Sequence, residues 1–149
     1  ETDAAWAPVP QKFEAGTQDA AGMYALDAGL SYLDGLGMAA VEERERLLAT
    51  YLTEQLAALP YVDVIGPADG TRHVGAVAFN VQGVHPHDVA SILDMSDICI
   101  RAGHHCAQPL LAYLGEQSTC RASIAFYNDK HDIDALVEGL ANVWQVFNG

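Results

Sequence analysis

Positive charge is scarce in this sequence. Seven Lys and Arg residues stand against 20 Asp and Glu residues in a chain of 149, which gives a formal net charge of −13. A strongly acidic protein repels phosphate backbones, so the charge balance disfavours a nucleic-acid-binding function. Only two residues, Lys12 and Lys130, are lysines.

Long apolar runs and a cysteine framework are also missing. Half of the residues are hydrophobic, enough for the core of one domain, but no run of about 18 apolar residues predicts a membrane span. The opening residues, ETDAAW, lack the basic and apolar parts of a secretory signal. The three cysteines have no disulfide-framework spacing, which fits a reducing compartment. These features predict a cytoplasmic protein that does not associate with membranes.

The predicted elements alternate between helices and short strands. After an extended segment over residues 1–16, Thr17 is predicted to cap a first helix that ends near Gly35 and Gly37. Further predicted helices span residues 39–59, 86–93, 109–114 and 132–147, and predicted strands span 61–65, part of 71–81, 98–101 and 120–126. This order predicts an α/β fold of the two-layer α+β type, in which helices cover one face of a small, mostly antiparallel sheet of about four strands.

Cys106 lies in a segment with the residues that activate a thiol. Residues 101–109 read RAGHHCAQP, so Cys106 follows two histidines and a strand-ending Arg101, and it precedes a helix that starts near Pro109. Imidazoles, a guanidinium and a helix N-terminus all favour the thiolate, which is the nucleophilic form. The alternative is an ordinary cysteine in a turn.

Strand alternation separates the remaining candidates. In the predicted strand 120–126, Cys120 is expected in the core, whereas Arg121 points to the other face. Arg121 and Arg101 would each either bind a substrate carboxylate or form a structural salt bridge. Cys99 is interpreted as structural. Thr17 would either cap its helix or hold a phosphate.

A zinc site is a weaker hypothesis. Its candidate ligands are His85, His87, His104, His105 and Cys106. None of the familiar zinc spacings occurs, and an adjacent His-His-Cys run rarely converges on one ion. No metal site is therefore predicted, and His73 and His131 are interpreted as surface residues.

Three motifs resemble those of one enzyme family. Residues 101–109 closely resemble the active-site loop of SufS-type (group II) cysteine desulfurases, which include selenocysteine lyases. The FEAGT sequence at residues 13–17 and the CRAS sequence at residues 120–123 resemble two further elements of that family. The motifs stand in the family's order and spacing, and the resemblance runs from about residue 6 to the C-terminus.

The resemblance implies a fold, an activity and a cofactor. The fold is the C-terminal small domain of a fold type I pyridoxal-phosphate enzyme of aminotransferase class V. Such enzymes take sulfur from L-cysteine, or selenium from L-selenocysteine, and leave L-alanine. The sulfur remains on the enzyme as a persulfide and supplies iron–sulfur cluster assembly. The full-length enzymes are homodimers.

The resemblance also implies residue roles. Cys106 matches the nucleophile that attacks the substrate's sulfur, and Arg121 matches the arginine that binds the substrate carboxylate. Arg101 matches a second active-site arginine. Thr17 matches a threonine that reaches the cofactor phosphate of the other subunit. His87 stands where some members have a histidine that touches a zinc-bearing acceptor protein.

One departure from the family concerns the cofactor. The family's cofactor-binding lysine, ring-stacking histidine and pyridine-nitrogen aspartate lie in a large N-terminal domain, and neither Lys12 nor Lys130 stands in the cofactor motif. We therefore expect a C-terminal fragment that is inactive alone. Residues 1–36 would be an arm and connecting helix of the missing large domain, and residues 37–149 the small domain.

The length of the loop bears on the partner. Only 14 residues separate Cys106 from Arg121, whereas group I relatives carry a longer, mobile loop. The short loop implies a dedicated sulfur acceptor of the SufE or SufU type. Two alternatives remain: a stand-alone module that carries sulfur or docks an acceptor without its own cofactor, and a small zinc-binding domain.

Overall fold

A computed structural model describes residue 3 and residues 5–149, and the chain divides into two compact units. The first unit extends to Met38, and the second spans Ala39–Gly149. No helix in the described part of the chain is both long and apolar enough to cross a membrane.

The first unit is built around helix α1, Ala20–Leu36, which follows a short 3-10 turn at Gln11–Phe13. Asp19 caps α1, because its carboxylate accepts a hydrogen bond from the amide of Gly22 at 2.9 Å. The predicted cap at Thr17 is therefore wrong. Gly37, with φ of 85°, ends the helix by donating its amide to the carbonyls of Leu33 and Asp34.

The second unit is a four-stranded antiparallel sheet packed by helices. The strands are β1, Val62–Ile65; β2, Ala76–Val81; β3, Arg101–Gly103; and β4, Thr119–Ser123, in the spatial order β1-β2-β4-β3. The helices are α2, Met38–Ala57, which belongs to this unit from Ala39 onwards; α3, Pro86–Asp94; α4, Gln108–Leu114; and α5, Lys130–Asn148. The predicted fold class, a small antiparallel sheet with helices, is confirmed.

The core lies between one face of the sheet and the inner faces of α2, α3 and α5. Its buried side chains include Leu48, Leu52, Leu56, Val77, Phe79, Val89, Leu93, Cys120, Ile133, Leu136 and Leu140. Alternate residues of β2, Val77, Phe79 and Val81, are buried, as a strand with one covered face requires. The sheet therefore has a core face, and its opposite face is available for other side chains.

Two predicted strands are displaced in the structure. The third strand was expected at residues 98–101, but β3 begins at Arg101 because the amide of Ile98 bonds instead to the carbonyl of Leu93 at 3.1 Å. The fourth was expected to reach residue 126, but β4 ends at Ser123. The chain then turns, and the amide of Asn128 donates to the carbonyl of Ala125.

Candidate functional site

The antiparallel pairing of β3 with β4 brings two arginines together. Arg101 and Arg121 are direct Cα partners in this ladder, and directly opposite side chains of an antiparallel pair share a face of the sheet. Cys120 is buried in the core, so its neighbour Arg121 projects from the opposite face. Two guanidinium groups therefore stand side by side on the face away from the core.

Neither arginine is neutralised by a carboxylate of residue 3 or residues 5–149. The Nε atom of Arg121 donates to the hydroxyl of Ser123 at 3.1 Å. The Nη2 atom of Arg101 lies 3.8 Å from the Sγ atom of Cys106. Like charges placed directly opposite each other on a sheet are destabilising, so this pair is suited to an anion.

Cys106 occupies a tight turn with an unusual backbone. The amide of Ala107 donates to the carbonyl of His104 at 2.9 Å, which closes a four-residue turn. The two central residues, His105 and Cys106, have φ of 55° and 58°. Positive φ at both central positions is the pattern of a type I′ turn, which favours Gly, Asn and Asp. For other residues this conformation costs on the order of 1–3 kcal/mol each.

Both histidines before Cys106 bond to the backbone. The ring Nδ1 atom of His104 accepts a hydrogen bond from the amide of Cys106 at 3.1 Å. The Nε2 atom of His105 lies 3.0 Å from the carbonyl oxygen of Thr119 and 2.9 Å from its hydroxyl. Because a carbonyl only accepts, Nε2 of His105 carries the proton. The turn is thus tied both to itself and to the start of β4.

The ring of His105 is held in its neutral form. Burial lowers the pKa of His105, against the raising effect of its bond to the Thr119 carbonyl. The positive charges of Arg121 and Arg101 lower that pKa further. The Nδ1 atom of His105 is buried and has no hydrogen-bond partner in the described part of the chain.

Sequence comparison places this geometry in a family. The sequence pattern of the family described as aminotransferase class-V matches residues 2–136. The chain belongs to the aminotransferase class-V family. Its curated relatives include a protein named probable cysteine desulfurase from Halalkalibacterium halodurans, which is 44% identical over 145 residues, 97% of this chain and 35% of the relative. This class-V chain thus spans about a third of the length of such relatives.

Solved structures agree with that assignment. The apo cysteine desulfurase from Thermococcus onnurineus NA1 superimposes with a TM-score of 0.83 at 40% identity, over 90% of this chain and 33% of that one. The cysteine desulfurase CsdA (S-sulfonic acid) from Escherichia coli gives a TM-score of 0.82 at 39% identity, over 92% of this chain and 33% of that one. The predicted resemblance to cysteine desulfurases is confirmed at the level of the family.

The other two cysteines of this class-V chain differ from Cys106. Cys120 has no exposed surface, and burial raises the pKa of its thiol to about 12, so it is inert at neutral pH. Cys99, interpreted from the sequence as structural, is exposed. It lines a cavity of about 350 Å³ together with His131 and Asp132. Cys106 and the two arginines do not line that cavity, although Ser123, which accepts the hydrogen bond from Arg121, does.

The other predicted site residues lie elsewhere in the chain. His87 is exposed in the first turn of α3, where its amide donates to the ring Nδ1 of His85 at 3.2 Å. Thr17 is exposed in the first unit. No three His, Cys, Asp or Glu side chains of the described residues cluster as metal ligands. His73, predicted to be at the surface, is instead largely buried, with its ring bonded to the carbonyl of Pro67 at 2.8 Å.

The ammonium groups of both lysines lie over aromatic rings. The ammonium of Lys130 lies over the ring of Tyr51, 4.5 Å from its centroid, at the start of α5. That of Lys12 lies over the ring of Phe13 within the first unit. The described residues supply a thiol and two guanidinium groups but no lysine for the cofactor, so this chain alone does not fit it.

Asn80 is a site residue to which sequence reasoning gave no role. Its Nδ2 atom donates to the carboxylate of Glu116 at 3.0 Å and lies 3.3 Å from the carbonyl oxygen of Ser118. These bonds hold the connection between α4 and β4 against β2. The available signal was a lone amide in the strand AVAFNV, on the face opposite Phe79. His105 was likewise considered only as a charge or a metal ligand, because its contact with Thr119 is not local in sequence.

Proposed function

We propose that this chain is the C-terminal third of a pyridoxal-phosphate-dependent cysteine desulfurase, in which Cys106 receives the sulfur. In the net reaction, the carbon–sulfur bond of L-cysteine breaks and a sulfur–sulfur bond forms on Cys106. L-cysteine and the Cys106 thiol thereby give L-alanine and a Cys106 persulfide. The observation that supports this most directly is that the exposed Cys106 has its Sγ atom 3.8 Å from Arg101. Arg101 and its ladder partner Arg121 have no carboxylate partner among the described residues.

Each residue of the site has a role suited to its position. Cys106 attacks the sulfur as a thiolate. Arg101 lies beside that sulfur and stabilises negative charge on it. Arg121, held through its Nε by Ser123, keeps its terminal nitrogens for the substrate carboxylate. The two side chains thereby orient the substrate with its sulfur towards Cys106.

The cofactor half of the site belongs to the rest of the protein. Pyridoxal phosphate acts as the electron sink that allows the carbon–sulfur bond to break. Its lysine would come from a large N-terminal domain, to which residues 1–36 also belong, whereas residues 37–149 form the small domain. Thr17 would reach the cofactor phosphate of the second subunit of a homodimer. The exposed position of Thr17 is compatible with such a contact.

The turn geometry favours a separate sulfur acceptor. The Cys106 turn is tied to Thr119, and the connection before β4 is tied to Asn80, so the sulfur has little freedom to travel. We infer a SufS-type enzyme that passes its persulfide to a SufE- or SufU-like thiol protein in the cytoplasm for iron–sulfur cluster assembly. His87, exposed on α3, is the residue proposed to touch that acceptor. L-selenocysteine is a second proposed substrate.

The test compares three proteins supplied with pyridoxal phosphate and L-cysteine. The full-length protein should form L-alanine and, with dithiothreitol, release sulfide. The same protein with Cys106→Ser should bind the cofactor but form neither product, and the 149-residue chain should form neither. Alanine production by the Cys106→Ser protein would exclude Cys106 as the nucleophile, and turnover by the 149-residue chain would overturn its assignment as an inactive part.

A stand-alone sulfur carrier that binds no cofactor is the second candidate. It is favoured because the ammonium groups of Lys12 and Lys130 both lie over aromatic rings, so neither is committed to a cofactor. It predicts that the protein made in the cell has the mass of the short chain and gains one sulfur atom on Cys106 from a persulfide donor. An intact-mass measurement separates the two candidates, because a desulfurase requires the longer polypeptide.

A further inference from the structure

The Cys106 turn places two non-glycine residues in the left-handed region of the backbone. His105 and Cys106 both have positive φ, at positions where Gly or Asn would adopt the same turn with less strain. Cys106 is explained by the proposed function, because the sulfur must be there. His105 needs a separate reason, and that reason must lie in its side chain.

The side chain of His105 connects the turn to the sheet. Its Nε2 atom lies within hydrogen-bond distance of both oxygens of Thr119, the first residue of β4, whose side chain is fully buried. Two residues further along, β4 carries Arg121, which pairs across the ladder with Arg101. The ring therefore links the turn that carries Cys106 to the strand that carries Arg121.

We infer that His105 is a positioning residue, whose ring holds the left-handed turn against Thr119 and so keeps the Cys106 sulfur beside Arg101. In this arrangement Nε2 is engaged by Thr119, and Nδ1 is buried without a hydrogen-bond partner in the described part of the chain. Burial lowers the pKa of His105, so the ring makes this bond in its neutral form near neutral pH. The value of the held geometry for sulfur transfer rests on the proposed function, but the geometry itself can be tested without it.

Three substitutions of His105 distinguish the effect of losing its ring contact with Thr119 from the effect of changing the backbone conformation of the turn. His105→Asn and His105→Gly both suit positive φ but cannot reach Thr119, whereas His105→Gln places an amide nitrogen near the position of Nε2. All three are made in the full-length protein carrying Cys99→Ser, so that Cys106 is the exposed thiol of this region. His131→Asn, which changes an exposed imidazole on α5, is the matched control.

The first measurement is the alkylation rate of Cys106 by iodoacetamide, which needs no substrate and is located by peptide mapping. With His105 present, Arg101→Ala should lower this rate about fivefold, the effect of one charge at roughly 4 Å in water. In the His105→Asn and His105→Gly backgrounds, Arg101→Ala should change the rate by less than about twofold, because the thiol no longer stays beside the guanidinium. An equal effect of Arg101→Ala in all backgrounds overturns the inference, as does no effect in any of them.

The second measurement is the split between kcat and KM for alanine formation. His105→Asn and His105→Gly should lower kcat by about 10- to 100-fold with KM nearly unchanged, as expected for a misplaced nucleophile. His105→Gln should recover most of the loss, and His131→Asn should match the parent. Full kcat in the folded His105→Gly protein would mean that the ring is dispensable. If Cys106→Ser remains active, the proposed function fails while the alkylation result stands by itself.

Discussion

Two cysteines of the second unit lie in contrasting environments, although Cys106 closely follows β3 and Cys120 lies on its neighbour β4. Cys120 is in the middle of the sheet, facing the core, with its pKa raised to about 12 by burial. Cys106 is exposed in a strained turn beside Arg101. On the core face of β4, burial makes the thiol of Cys120 inert. In the turn after β3, the thiol of Cys106 is accessible to solvent and lies beside a guanidinium group. Reactivity in this fold is therefore set by the face and the turn, and not by the residue type.

Replacement of Cys106 by serine has the largest expected effect on activity, and the same replacement of Cys120 is the comparison. In the full-length protein, Cys106→Ser should lower alanine formation by more than about a thousandfold, as removal of a nucleophile does. Cys120→Ser should leave the rate within about threefold, since its thiol lies in the core, where its Sγ donates to the carbonyl of Pro86 at 3.7 Å, away from the site. Coupled detection of alanine measures both, and similar losses for the two variants would remove the contrast between them.

The core face can be tested by unfolding. Phe79→Ala should lower the free energy of unfolding by about 3–5 kcal/mol, because the fully buried ring leaves a cavity. The exposed Gln82→Ala, just after the same strand, should change it by less than about 1 kcal/mol, since it loses a single exposed hydrogen bond to Asp63. Urea denaturation of both variants gives the comparison, and a small effect of Phe79→Ala would contradict the assignment of the core.

Substitution of Arg121, on the face of the sheet away from the core, should have a smaller effect, which concerns substrate binding. Arg121→Lys keeps the charge but loses the planar pair of donors, so KM for L-cysteine should rise by about 10-fold or more while the protein stays folded. Arg72→Lys, an exposed arginine outside the sheet, is the control. Steady-state kinetics decide the matter: an unchanged KM for Arg121→Lys would argue against carboxylate binding there.

The weakest expected effect is the pH dependence that His105 contributes. Its folded pKa lies below the ordinary 6.5, so between those values the unfolded chain binds more protons and stability falls as the pH decreases. One proton accounts for at most about 1.4 kcal/mol per pH unit. His105→Gln should remove this part of the decline below pH 6.5, while the carboxylates Asp69 and Asp132, whose pKa values are also lowered, act in more acidic solution. Equal slopes for parent and variant near pH 6 would contradict it.

Sequence reasoning predicted the fold from local patterns. Alternation in the strand with Phe79 and the helical spacing of Leu48, Leu52 and Leu56 carried enough information, because both reflect one buried face. The same alternation correctly placed Cys120 in the core. The cap of α1 was assigned to Thr17 instead of Asp19, two residues away, because both residue types cap helices well.

The site was predicted only in part, for a physical reason. The motif proposes Cys106, Arg101 and Arg121 as site residues, but their mutual geometry depends on the register of β3 against β4. The turn was not predictable from composition, because its central residues His105 and Cys106 are not the Gly, Asn or Asp that a type I′ turn favours. Its stabilising contact with Thr119 spans 14 positions of sequence and exists only in the folded chain.

The pairing of β4 with β2 also determines which chemical group is presented to each side. Phe79 pairs with Cys120 and Ala78 with Arg121. Because side chains alternate, a slip of β4 by one residue would turn the guanidinium of Arg121 into the hydrocarbon core and the thiol of Cys120 outwards. The hydrogen bonds from Asn80 to Glu116 and Ser118 oppose such a slip at the point where β4 begins. An insertion or deletion of one residue there would therefore exchange the inner and outer faces of the strand without changing any residue in it.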